Sequence, residues 1–181
     1  RAAATAEVVF GGANNLDDAR AYYDDIKTRA AALGRPPESL VVLPGAFVVV
    51  GDTRAQAQEM KAQLDSLVHP DSGIATLSVL LGTDVSGFDR DAPLPPLAAS
   101  NASKSGQQKL VDMARRDGLT VGQLAQYVGG SFSSLEIVGN ASDIADQMQV
   151  WVEQGGCNGF NVLYPFPPAG IERFVHEVIP E

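Results

Sequence analysis

The chain has 181 residues, 45% of them hydrophobic and 7% aromatic, enough for one domain with a sizeable core. Its formal net charge is −9 and it carries no Lys/Arg cluster, which argues against a nucleic-acid partner. No apolar run approaches the ~20 residues of a membrane-crossing helix, no stretch reads as a secretory signal, and a lone Cys157 with two distant histidines offers neither a disulfide nor metal-ligand spacing, as in a reducing cytoplasm.

In chain order, Arg1 to Glu7 reads as the end of a small-residue helix entering a short strand, Val8–Phe10. A domain seldom begins in mid-element, so an upstream part is expected. Gly11-Gly12 closes the strand, and Asn14 or Asn15 caps a helix whose apolar stripe is Leu16, Ala19, Tyr23, Ile26, Ala30 and Leu33. Gly34 and Pro36-Pro37 stop it. Leu40 to Val50 is a long β-branched strand in which Pro44-Gly45 predicts a bulge or bend. Asp52 or Thr53 then caps a helix through Ala57, Met60 and Leu64.

From about 69 to 134 the pattern leaves the strand-then-helix alternation. Ile74, Leu77, Leu80 and Leu81 read as helical, Gly87 to Ser103 as a surface loop, and Leu110, Met113 and Ala114 as a short helix. Thr120 caps a helix through Leu124, Ala125 and Val128, and Gly129 to Ser134 reads as a flexible approach to the next strand. An insertion of this length suits a lid or substrate wall. Leu135, Ile137 and Val138 form a strand closed by Gly139. Asn140 and Asp143 form a capping-box-like pair, and Ile144, Met148, Trp151 and Val152 form one helical stripe. After Gly155-Gly156, the near-continuous run of Phe160, Val162 and Leu163 predicts a strand covered on both faces, and Pro165, Pro167 and Pro168 end its pairing.

Several segments carry a family resemblance. AAATAEVVF at the start, LVVLPGAFVVVGDT with the following AQA, DGLTVGQLA at Asp117–Ala125, and IVGNASDIADQM with GFNV near the end resemble the bacterial luciferase-like flavin-dependent monooxygenases. The similarity is greatest to the branch of nitrilotriacetate, dibenzothiophene-sulfone and long-chain alkane monooxygenases. The resemblance implies an α/β fold, the C-terminal part of a (β/α)8 TIM barrel. Its last three strands would be Val8–Phe10, about Leu40–Val50 and about Gly159–Leu163, with a largely helical insertion at about 69–134. Leu135–Val138 would be a lead-in and not a barrel strand. The implied activity is that of a two-component monooxygenase. Reduced FMN, supplied by an NAD(P)H-dependent flavin reductase, and O2 would place one oxygen atom in a small organic substrate. The family's principal flavin contacts lie mostly upstream of the matched segments. A cytoplasmic homo-oligomer is implied. The competing reading is a non-catalytic or self-associating module of the same fold, whose raw sheet edges invite pairing.

On this resemblance Asn161 and Ser133 are candidate cofactor-binding residues, and Phe132 and Tyr164 candidate substrate-facing residues. Each has a structural alternative: a buried Asn satisfied by backbone, a glycine-serine linker, and rim packing of Tyr164 and Phe166. The position of any catalytic residue is not specified. Asn14 and Asn15 fit a helix cap better than a site. Cys157, with no histidine near it to activate a thiolate, reads as a small buried thiol. His69 and His176 read as surface or helix residues. No G-x-G-x-x-G or P-loop pattern is present.

Overall fold

The computed structural model describes residues 1–97, 104–131 and 134–181. Its elements are α1 (Ala2–Thr5), β1 (Val8–Gly11), α2 (Leu16–Ala32), β2 (Val41–Val50), α3 (Arg54–Ser66), α4 (Pro70–Leu81), α5 (Lys104–Arg116), α6 (Val121–Ser131), β3 (Leu135–Gly139), α7 (Ala141–Glu153), β4 (Asn161–Leu163) and α8 (Ala169–Arg173), the last continued by a π-helical turn over Phe174–Val178. Two compact units result: Arg1–Lys61 with Ser134–Glu181, and Ala62–Ser133.

The first unit is an all-parallel sheet built on β2, the longest β-branched run. Val8–Gly11 of β1 pair with Val41–Pro44, Leu135–Gly139 of β3 with Ala46–Val50, and Asn161–Leu163 of β4 with Gly45–Phe47. Ala46 and Phe47 are paired with both β3 and β4, so those strands lie on opposite edges of β2. Val42 is level with β1, yet its N–H donates to Asn158 Oδ1 (3.0 Å) and its carbonyl accepts from Asn158 N–H (2.9 Å). Asn158 leads into β4, so β1 lies opposite β4 and shares an edge with β3. β1 flanks the first half of β2 and β3 the second.

This arrangement corrects two expectations. Leu135–Gly139 is a five-residue member of the sheet and not a lead-in. Pro44-Gly45 forms no bulge, since β2 runs through both and its neighbours pair with it one to one. Pro44 has the parity of Val42 and addresses the β4 edge. There the ladder begins only at Gly45–Asn161, so the missing N–H of proline costs no bond.

Helices cover one face of the sheet. Val42 and Leu40 pack with Ala3 and Ile26, while Ala46, Val48 and Val50 pack with Leu135, Ile137, Ile144, Trp151 and Val178. Trp151 meets Phe160 with ring centroids 6.1 Å apart. Local chemistry starts α2, α3 and α7. Asn15 Oδ1 accepts from Asp18 N–H (2.9 Å), Thr53 Oγ1 from Gln56 N–H (3.2 Å), and Asn140 and Asp143 form a full capping box. Val152, predicted on the apolar stripe of α7, is 45% exposed, one position past the buried Trp151. The proline-rich exit is followed by a helix the apolar pattern did not reveal, with Pro168 at its N-cap, where a missing N–H is tolerated.

The second unit is helical. Leu77 and Leu81 of α4 share a core with Met113 of α5 and with Leu124 and Val128 of α6. Thr120 Oγ1 accepts from Gln123 N–H, and Gln123 Oε1 accepts from Thr120 N–H, which starts α6. The expected flexible stretch is helix as far as Ser131. Gly129 and Gly130 are close-packing residues: a Cβ at 129 would stand 2.8 Å from Val68 Cγ1, and one at 130 would stand 3.0 Å from Asp65 Oδ1.

Candidate functional site

Side chains alternate across a strand, so the face of β2 opposite the helices carries Leu43, Gly45, Phe47 and Val49. Register puts Val8 and Phe10 of β1, and Asn161 and Leu163 of β4, on the same face. Phe47 and Val49 are buried, but toward the β1 half the face is open: Val8 is 58% and Phe10 60% exposed, and Asn161 is exposed. An apolar floor with few polar groups is a usual lining of a ligand site.

At the centre of this face, neighbouring side chains take up the space over Gly45. A Cβ at position 45 would stand 2.8 Å from Phe10 Cζ and 3.1 Å from Ser134 Oγ, so the end of β1 and the start of β3 converge there. Asn161 lies level with Gly45 across the ladder. It is exposed in this chain. Tyr164, the residue after β4, is half-buried with its ring edge-on to Phe174 at 5.8 Å, and burial raises its phenol above the ordinary tyrosine range. Phe132 and Ser133 lie outside the described residues. Their neighbour Ser134 is buried beside Gly45.

Charged groups cluster beyond the strand ends. Arg173 Nη2 donates to Asp52 (2.6 Å) and to Glu177 (2.8 Å). The Glu177 carboxyl is held below its usual range by Arg173, and the Arg173 guanidinium is raised by Glu177 first, with Asp52 adding to it. Arg54 forks onto Asp143 (3.1 and 2.5 Å), which holds that carboxyl low. These cations are committed to carboxylates. Cys157 is 2% exposed and burial pushes its thiol up, the reverse of an activated nucleophile. Among the described residues no group of three His, Cys, Asp or Glu is placed to hold a metal, and no helix is long and apolar enough to cross a membrane.

The site thus offers an aromatic floor, a backbone cleared of side chain, and an amide and a hydroxyl beside it. The sequence pattern pointed to Asn161 but not to Phe10 or Gly45. The one signal for them was a glycine inside a β-branched strand, which marks close approach as readily as a bulge.

Comparison with known proteins gives a consistent result. The family model described as luciferase-like monooxygenase matches residues 1–158. N-acetyl-S-(2-succino)cysteine monooxygenase of Bacillus subtilis (strain 168) is 42% identical over 182 residues, covering 99% of this chain and 41% of that protein. Nitrilotriacetate monooxygenase component A of Aminobacter aminovorans is also 42% identical, covering 99% of this chain and 40% of that protein. The crystal structure of DmoA from Hyphomicrobium sulfonivorans superposes with a TM-score of 0.84 at 26% identity, over 99% of this chain and 37% of that one. The chain therefore spans about two fifths of the length of the relatives it matches.

Proposed function

This chain belongs to the luciferase-like monooxygenase family, and from that premise we propose that the protein it represents is a flavin-dependent monooxygenase of the two-component type. The observation that carries the reading is the 42% identity, over 99% of the chain, to two proteins named as monooxygenases, one of them a component A. A component that bears the name A implies a second one. A separate NAD(P)H-dependent reductase that delivers reduced FMN fits that role, in a cytoplasmic setting.

In this reading the parallel strands are the closing portion of a (β/α)8 barrel, the residues of the 69–134 region form an insertion between its units, and the open face of β1, β2 and β4 looks into the barrel. Barrel enzymes carry their sites at the C-terminal ends of such strands, the end at which Tyr164 follows β4. The flavin, when bound, supplies the oxygen-transfer chemistry. Asn161 and the Ser133–Ser134 segment would hydrogen-bond the cofactor's polar edge. Phe132 and Tyr164 would border the organic substrate and exclude water from it.

The test is anaerobic titration of the complete gene product with reduced FMN, followed by NADH-driven oxygenation with an added flavin reductase. Submicromolar-to-micromolar binding and oxygen incorporation from O2 are expected. Failure of the intact protein to bind reduced FMN refutes the reading.

A further inference from the structure

On the β2 side, β4 is held by three rungs: Gly45–Asn161, Ala46–Val162 and Phe47–Leu163. The next residue of β2 that addresses this edge is Pro44, whose nitrogen cannot donate. Beyond it comes Val42, and its partner is not a strand residue. Asn158 serves Val42 with two different atoms: its side-chain Oδ1 accepts the Val42 N–H, and its backbone N–H donates to the Val42 carbonyl. Asn158 thereby ties the chain to β2 on the far side of the gap that proline leaves, three residues ahead of Asn161.

The carboxamide is itself held. Its Nδ2 donates to Tyr23 Oη at 3.1 Å, which decides that the oxygen end of the amide faces Val42. Tyr23 lies on α2, where the Lys27 ammonium stands 4.9 Å from the centre of its ring and donates to the carbonyls of Pro37 and Leu40, just ahead of β2. The approach to Asn158 is tight as well. Gly156 N–H donates to Trp151 O (2.8 Å), and a Cβ at 156 would stand 2.9 Å from Leu16 Cδ1. A slip of one residue between β2 and β4 would exchange the two faces of β4 and turn Asn161 toward the helices. We infer that Asn158, oriented by Tyr23, is a positioning residue that sets the register of β4 against β2 and so places Asn161 for the cofactor. The inference rests on the reading of Asn161 given above. Asn158 and Tyr23 act on the cofactor only through β4.

The experiment uses the complete gene product, at a temperature where every variant is fully folded, and has two readouts: deuterium exchange at the amides of Asn161–Leu163 relative to those of β3, and the dissociation constant of reduced FMN. Asn158→Ala is expected to speed exchange in β4 and to weaken reduced FMN, each on the order of tenfold. Asn158→Asp keeps an acceptor for Val42 N–H and can accept the Tyr23 hydroxyl proton, and it is expected to restore both readouts. Tyr23→Phe moves both in the same direction by a smaller factor, about threefold, and adds nothing in the Asn158→Ala background. Ile144→Val, a core truncation on α7, lowers stability and moves neither readout, which separates placement from general loosening. If Asn158→Ala does not fold, Tyr23→Phe carries the expectation. Unchanged exchange in β4, or faster exchange with unchanged affinity for reduced FMN, overturns the inference and leaves the flavin reading intact. An unsubstituted protein that binds no reduced FMN overturns the flavin reading and the cofactor role inferred from it, while exchange in β4 still decides whether Asn158 sets the register.

Discussion

Asn158 does at residue scale what a further strand residue would do. It accepts Val42 N–H through Oδ1 (3.0 Å), donates its own N–H to Val42 O (2.9 Å), and passes its amide to Tyr23 Oη (3.1 Å). Val42 is 2% exposed, so water cannot replace the lost acceptor. Asn158→Ala is expected to destabilise by about 1–3 kcal/mol, the cost of an orphaned buried donor. Asn158→Asp keeps an acceptor for Val42 N–H and is expected to lose less. Urea unfolding of the two variants checks the order, and an alanine variant as stable as the parent contradicts it.

Element packing decides what glycine means in this chain. By helix propensity alone, Gly129→Ala in the body of α6 would gain up to about 1 kcal/mol. The added Cβ would stand 2.8 Å from Val68 Cγ1, so the substitution is expected to destabilise by about 1–3 kcal/mol instead. Pairing it with Val68→Ala should recover part of that loss beyond additivity, as read by thermal unfolding of the four-member cycle. The same example shows where sequence reasoning stops. The caps at Asn15, Thr120 and Asn140 each involve residues within three positions, and all were legible. So were most positions of the apolar stripes, Leu33 and Val152 being exposed instead, and the family resemblance, which the family model bears out over residues 1–158. Gly129 looked flexible because its reason lies in Val68, and Gly45 looked like a bulge because its reason lies in Phe10. Those partners are distant in sequence, and no local pattern names them. Asn161 was legible as a candidate from its strand position, while its exposure depends on what packs against β4.

Asp143 couples two elements, closing the cap of α7 and receiving both arms of Arg54 at the start of α3. Its carboxyl is lowered in the folded state, chiefly by the Arg54 hydrogen bonds. A lowered carboxyl stabilises the fold above the unfolded-state value of about 3.9 and loses that contribution as pH falls through the folded value. Asp143→Asn keeps the shape and removes the charge. The melting-temperature gap between parent and variant should therefore be present at neutral pH, close below about pH 4, and shrink with added salt. A gap that is flat from neutral pH to acid would show that the cap geometry, and not the charge, is what the residue contributes.

At the scale of the whole molecule, one face of the sheet carries most of the stabilising burial, and the other, closed at Phe47 and Val49, is open toward β1. Leu40, Val42, Val48, Ile137 and Ile144 are essentially fully buried under α2 and α7, whereas Val8 and Phe10 look outward from the opposite face. Among the described residues β1 and β4 each pair only with β2, so each also presents an unpaired edge. Parallel sheets are ordinarily covered on both faces, and apolar strands with free edges recruit further strands. The 181-residue chain expressed by itself is therefore expected to associate. Its sedimentation-velocity mass should rise above 19.0 kDa with concentration. Val8→Lys puts a charge on both the open face and the β1 edge, and it is expected to shift the distribution toward monomer without lowering the thermal transition, because Val8 contributes little burial of its own. A chain that stays at 19.0 kDa at all concentrations would mean that this face is tolerated bare in water, and its exposure would then say nothing about what the strands are built to receive.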